Sequence, residues 1–181
     1  RVDCRIGIVN LRGDILSSKH LQFSKSTLVY KALDTIADVI KEQCEQLGIP
    51  LSRLMGVGFS APGPVDNTAG IMINPPEFDK WHHTNVKNHL EPLLGTEVML
   101  ENNSYSLALY EKSCLTHPEP TFLYLLVGCH GVGSGFINKG KLYRGVHGLS
   151  GELGHISINQ SGPPCSCGNR GCLELYASIP M

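Results

Sequence analysis

Apolar positions along the chain change their period several times, and each change marks an element. Short β-type runs at residues 6–10 and 13–17 flank a polar turn, which predicts a hairpin. Leu33, Ile36, Ala37, Ile40, Cys44 and Leu47 then recur at three- and four-residue steps and stop at Gly48. That spacing predicts one amphipathic helix with a glycine beyond its C-cap. Buried strands are expected at 55–60 and 97–100, with Asn102 and Asn103 at the end of the second and residues 104–112 helical behind them. An apolar strand at 121–127 and a hairpin over 133–143, turning at Asn138-Lys-Gly140, complete the pattern. The stretch from Asn74-Pro-Pro76 past Trp81 has little periodicity. Trp81 is expected to pack a loop onto the body, and His82, His83 and His89 to lie on the surface. Hairpins, a helix and single strands in this order predict a mixed α/β sheet without internal repeats.

Composition narrows the class. With 41% hydrophobic and 17% charged residues, the chain can build one or two small domains around a real core. A formal net charge of −1 supplies no basic surface for nucleic acid. The chain has no run of about 18 apolar residues, so no membrane span is expected within it, and its start shows no signal-peptide pattern. Seven cysteines are an odd number, and Cys4, Cys44, Cys114 and Cys129 are scattered, which fits a reducing cytoplasm better than a disulfide framework. Cys44 and Cys114 lie on apolar helical stripes and are expected to be core thiols. A chain that opens at Arg1 without a methionine reads as an excerpt of a longer protein.

The other three cysteines carry chemistry. Cys165-Ser-Cys167-Gly-Asn-Arg-Gly-Cys172 follows Gly151-Glu-Leu-Gly-His155 by ten residues, grouping three thiols and an imidazole. Four such ligands suit a closed tetrahedral zinc site at His155, Cys165, Cys167 and Cys172. Gly168 and Gly171 lie between the thiols, where a chain wrapping an ion needs residues able to take positive φ. Packing thiols are the alternative, and clustering within eight residues beside two glycines argues against it.

Two punctuated strand ends offer backbone to a ligand. Gly128-Cys-His-Gly131-Val-Gly133-Ser-Gly135 puts four glycines in eight residues. Bare backbone there serves either the approach of a phosphate, with Gly128, Gly131 and Gly133 as the loop, or a tight turn between packed strands. The run matches neither the P-loop nor the dinucleotide fingerprint, and His130 reads equally well as a solvated turn residue. Ser60-Ala-Pro-Gly-Pro-Val-Asp66 is a rigid turn of the same kind.

Taken in order, these motifs resemble one family along nearly the whole chain. Gly58-Phe-Ser-Ala-Pro-Gly-Pro-Val-Asp66, Glu101-Asn-Asn103, the glycine run, Gly140-Lys-Leu-Tyr-Arg-Gly-Val-His-Gly148, and Gly151-Glu-Leu-Gly-His155 with the cysteine loop and Leu173-Glu174 are similar to the ROK family of sugar kinases and sugar-responsive repressors. The resemblance implies an α/β fold of the actin-like ATPase (RNase H-like) class with two lobes. Residues 1–103 would be most of the first lobe and 104–181 the start of the second, with an Asp-Gly-Gly-Thr type phosphate hairpin expected immediately before Arg1. It also implies that Asn102, Asn103, Glu152, His155 and Glu174 hold sugar hydroxyls, with His155 bound to zinc through one ring nitrogen and to sugar through the other.

One position departs from the family's pattern. Kinases of the family carry Glu-Asn-Asp where this chain has Glu101-Asn-Asn103, and the Asp accepts the proton of the attacking hydroxyl. Asn103 has no oxygen that titrates at neutral pH, and losing a positioned base costs about 10²- to 10⁴-fold. Glu101, two residues back on the strand, is the nearest other base. The expectation is therefore the sugar-binding effector domain of a transcriptional regulator of the xylose-repressor or N-acetylglucosamine-repressor type. Its DNA-binding domain would lie upstream, its ligand would be a small sugar, and it would assemble as a dimer in the cytoplasm. The alternative is a glucokinase-like enzyme, which alone would require ATP and magnesium.

Overall fold

The computed structural model describes residues 2–24, 26–75, 79–128, 131–146 and 148–178. Pro76, Cys129, His130 and His147 of the motifs above lie outside the described residues. The chain divides into two compact units, Arg1–Glu101 and Asn102–Met181.

In the first unit, strands β1 (Val2–Val9) and β2 (Ile15–Phe23) form an antiparallel hairpin, longer than the two apolar runs because its ends alternate polar with apolar residues. Helix α1 (Val29–Gln46) begins before the periodic stripe, and Leu47 is its C-cap, followed by Gly48 at φ 65°. The stripe residues Leu33, Ile36, Ala37, Ile40 and Cys44 are buried and share one core with Ile6 and Ile8 of β1. Strand β3 (Val57–Ala61) leads through the proline-rich turn, whose Gly63–Pro64 peptide is cis, into the small antiparallel sheet of β4 (Val65–Asp66), β5 (Ile71–Met72) and β6 (Thr84–Asn85). Helix α2 (Val86–Leu94) follows, and β7 (Val98–Asn102) then pairs with β3.

Helix α2 falls in the stretch that showed little periodicity. Its apolar face is Val86, Leu90 and Leu94, all buried, and its start is capped by the Asn85 side chain, which accepts from the Asn88 N–H at 2.8 Å. Nine residues interrupted by Pro92 give too few turns for a stripe to stand out. Trp81 is buried as expected, and His82 and His83 are exposed. His89 is not a free surface histidine: its Nε2 lies 2.7 Å from Asp34 Oδ1 and its ring lies against Tyr30, tying α2 to α1.

The second unit opens with α3 (Asn103–Cys114) and continues into an antiparallel sheet, β10-β9-β8, built from β8 (Phe122–Gly128), β9 (Gly131–Asn138) and β10 (Lys141–Tyr143). Gly128 and Gly131 pair across the closed end of the β8–β9 hairpin. Cys114, expected in the core, is exposed, because it sits on the last residue of α3 where the apolar face has run out. The chain ends in an irregular segment carrying a 3-10 turn, Leu153–His155, and a short helix α4 (Glu174–Ala177). Among the described residues no helix is long and apolar enough to cross a membrane.

Candidate functional site

Three glycines allow close packing within this unit. A Cβ on Gly154 would overlap the carbonyl oxygen of Val132 in β9, so only glycine allows the 3-10 turn to rest there. On the next residue of β9, a Cβ on Gly133 would overlap Ser104 Oγ, so bare backbone also brings α3 close. Gly171, at φ 61°, passes against the Asn159 carbonyl in the same way. The loop before Glu152 is held by two hydroxyls. Tyr105 of α3 donates to the carbonyls of Gly148 and Ser150, at 3.2 and 2.5 Å, and Ser134 of β9 donates to that of Gly151.

His155, Cys165, Cys167 and Cys172 converge as the spacing predicted, each offering a ligand atom, and these atoms lie within 4.8 Å of one another. Cys165 Sγ is 3.6 Å from His155 Nδ1, and Cys167 Sγ is 3.7 Å from Cys172 Sγ. A turn returns the chain between the ligands: the Gly168 N–H donates to Cys165 O at 3.0 Å, and the Cys165 N–H to Asn169 O at 2.8 Å. Bridges between Ser157 and Cys172 and between Pro164 and Arg170 close its base. Cys165 and Cys172 are buried, whereas Cys167 is exposed. Burial raises the Cys165 thiol above its ordinary range and, reinforced by the neighbouring thiols, pushes Cys172 up to about 12. Cys167 is lowered, chiefly by the backbone N–H of Asn169.

Two carboxylates flank this cluster. Glu174 is mostly buried, with Oε1 3.1 Å from Cys165 Sγ and 3.4 Å from His155 Nδ1. Gly131 passes against its other oxygen, where a Cβ would stand 2.6 Å away. Glu152 is open to solvent on one side, yet the protein around it desolvates its carboxyl and raises its pKa; His155 opposes that shift and the charge of Glu174 adds to it. Glu152, His155 and Glu174 thus lie near enough to sense one another's charge.

Asn102 and Asn103 stand at the start of α3. Asn102 is the N-cap, and its Oδ1 accepts from the Ser104 N–H at 2.8 Å. Asn103 Oδ1 accepts from the same N–H at 2.7 Å and from Ser104 Oγ at 3.3 Å. Of the glycine run, Gly133 is packed against Ser104 and Gly131 against Glu174, while Gly128 has open space where a Cβ would point. The sequence reading missed Tyr105, Ser134 and Gly154, whose work is visible only once β9, α3 and the loop are brought together.

The profile of the ROK family matches residues 1–180 of this chain. The chain belongs to the ROK family. Curated relatives include the xylose repressor of Bacillus subtilis, 35% identical over 94% of this chain and 44% of the repressor. The glucokinase of Thermotoga maritima is 32% identical over 96% of this chain and 53% of that enzyme. Among solved structures, a ROK transcriptional regulator homologous to the Escherichia coli Mlc protein superposes with a TM-score of 0.81 at 26% identity, covering 97% of this chain and 44% of that one. A ROK glucokinase from Streptomyces griseus, solved with glucose and AMPPNP, gives 0.77 at 29%, covering 97% and 54%. The fold is therefore the α/β, actin-like ATPase fold of ROK sugar kinases, and the chain spans about half the length of the relatives it matches.

Proposed function

We propose that this chain supplies the sugar-binding site of a ROK transcriptional regulator. The observation that carries this reading is Asn103. A carboxamide stands where the family's kinases place their base, and its only acceptor oxygen already takes the Ser104 N–H at 2.7 Å. Such a group can hold a hydroxyl and cannot remove its proton. Glu152, His155 and Glu174 supply the remaining contacts, the carboxylates accepting charge-assisted hydrogen bonds from vicinal hydroxyls. Asn102 completes the set from the helix start.

Zinc is the metal that fits the cysteine cluster. Tetrahedral zinc, with Zn–S of about 2.3 Å and Zn–N of about 2.0–2.1 Å, sets two sulfurs about 3.8 Å apart and sulfur and nitrogen about 3.6 Å apart. The Cys167–Cys172 and Cys165–His155 separations, 3.7 and 3.6 Å, are such edges, and the widest pair need draw in by only about 1 Å. Four protein ligands would leave no open position, so the ion would be structural, held by His155 Nδ1 and the three thiols, with Nε2 left for the sugar. DNA would be bound through a separate upstream domain, and the regulator would act as a cytoplasmic dimer.

A second reading, an ATP- and magnesium-dependent sugar kinase, draws support from the glucokinase relatives and from Gly128 and Gly131 at the closed end of the β8–β9 hairpin, where backbone can meet phosphate. Full-length protein separates the two. Calorimetry against xylose, glucose, N-acetylglucosamine and N-acetylmannosamine should find a sugar that binds, and a coupled ADP assay at saturating sugar should show little turnover. Asn103→Asp should then raise turnover and leave sugar affinity within a few-fold. Fast sugar-dependent turnover by the unmodified protein would reject the regulator reading.

A further inference from the structure

We infer that the cysteine loop is also a peroxide-oxidised site, at which Cys167 and Cys172 close a disulfide and release the metal. The inference rests on the metal reading above for its second half only. The ligand set is asymmetric: Cys165 and Cys172 are buried and Cys167 is exposed, so an oxidant in solution reaches one corner of the cluster first. Cys172 Sγ stands 3.7 Å from Cys167 Sγ, whereas Cys165 Sγ is occupied on its other side by Glu174 Oε1 at 3.1 Å and His155 Nδ1 at 3.6 Å. Four residues separate Cys167 from Cys172, two of them glycines at positive φ, so the loop can draw the sulfurs to the ~2.05 Å of a bond.

The chemistry balances with hydrogen peroxide as the oxidant. The Cys167 thiolate attacks one peroxide oxygen; an S–O bond forms, the O–O bond breaks, and hydroxide leaves to become water. The Cys172 sulfur then attacks the Cys167 sulfur and gives up its proton; the S–S bond forms, the S–O bond breaks, and a second hydroxide leaves, taking that proton to become water. Two sulfurs give up two electrons and peroxide takes them. His155 and Cys165 alone cannot retain an ion that needed four ligands.

The test uses full-length, zinc-loaded protein exposed to graded hydrogen peroxide, with zinc release followed by a chromophoric chelator and thiols mapped by peptide mass spectrometry. Zinc should leave in step with a Cys167–Cys172 cross-link, and dithiothreitol with added zinc should restore both. Cys167→His, which keeps four ligands and removes the exposed thiol, should hold its zinc under the same peroxide, and Cys114→Ser should behave as the native protein does. Retention of zinc while Cys114 is oxidised, a cross-link to Cys165 instead, or equal release from Cys167→His would overturn the inference. Protein that arrives without metal would reject the zinc reading, and the mapped cross-link alone would then decide this one.

Discussion

Gly154 shows how little freedom the site's backbone has. Because its Cβ position is filled by the Val132 carbonyl, Gly154→Ala must push the 3-10 turn off β9. The expected cost is about 1–3 kcal/mol, read as a lowered denaturant midpoint, together with weakened metal retention. Unchanged stability and zinc content would mean the turn has room to spare. Thiol reactivity is a second residue-scale test. Burial raises the pKa of Cys4 and Cys44, so each stays protonated to higher pH than a free thiol, and its alkylation accelerates only as the pH climbs towards the raised value. Timed iodoacetamide labelling of the folded protein should therefore modify exposed Cys114 well before Cys44; the reverse order would contradict the burial. The cluster of His155, Cys165, Cys167 and Cys172 was legible because thiols, an imidazole and turn glycines are chemically rare and close in sequence. The His89–Asp34 pair was not, because its partners are 55 residues apart and only the packing of α1 on α2 makes them neighbours.

At the scale of elements, the sequence announced those with enough turns or alternation to show a period. The eighteen residues of α1 were plain and the nine of α2 were not, although Val86, Leu90 and Leu94 stand at four-residue steps with Asn85 before them and Gly95 after. Leu90 is fully buried in the common core, so Leu90→Ala should cost about 2–5 kcal/mol in urea unfolding. Asp34→Asn, which breaks a partly exposed tie between the same helices, should cost no more than about 1 kcal/mol. A larger loss from Asp34→Asn than from Leu90→Ala would place the energy of this contact in the ion pair and not in the apolar face. Gln43 is an exception to the apolar logic of α1. It is fully buried, its Oε1 accepts from Ser17 Oγ at 2.7 Å, and its Nε2 has no partner among the described residues. Gln43→Met should accordingly be neutral or stabilising by up to about 1 kcal/mol in the same measurement.

For the whole molecule, the two units have different sources of stability. The first unit owes its stability to one apolar core drawn from a hairpin, two helices and β7. The tail of the second is irregular chain whose buried side chains include two thiols of the cluster, so its order should depend on the ion. Chelation should raise hydrogen exchange across residues 153–173 while the amides of α1 keep their protection; uniform loosening of both units would refute this division. Motif order alone was enough to read the family and fold. The proposed choice between the family's two activities rests on a single amide-for-carboxylate exchange, a difference that no hydrophobic pattern encodes.

Val132 and Gly133 are adjacent on β9, and one receives the turn that carries Glu152 and His155 while the other receives the helix that begins at Asn102 and Asn103. Two groups of residues far apart in sequence are therefore referenced to the same few ångströms of strand, one through bare backbone and the other through the short side chain of Ser104. Backbone drift is closed to the proposed sugar site as a way of acquiring a new ligand. Any change of specificity in descendants of this sequence has to come from exchanging side chains on a fixed frame, one hydroxyl contact at a time.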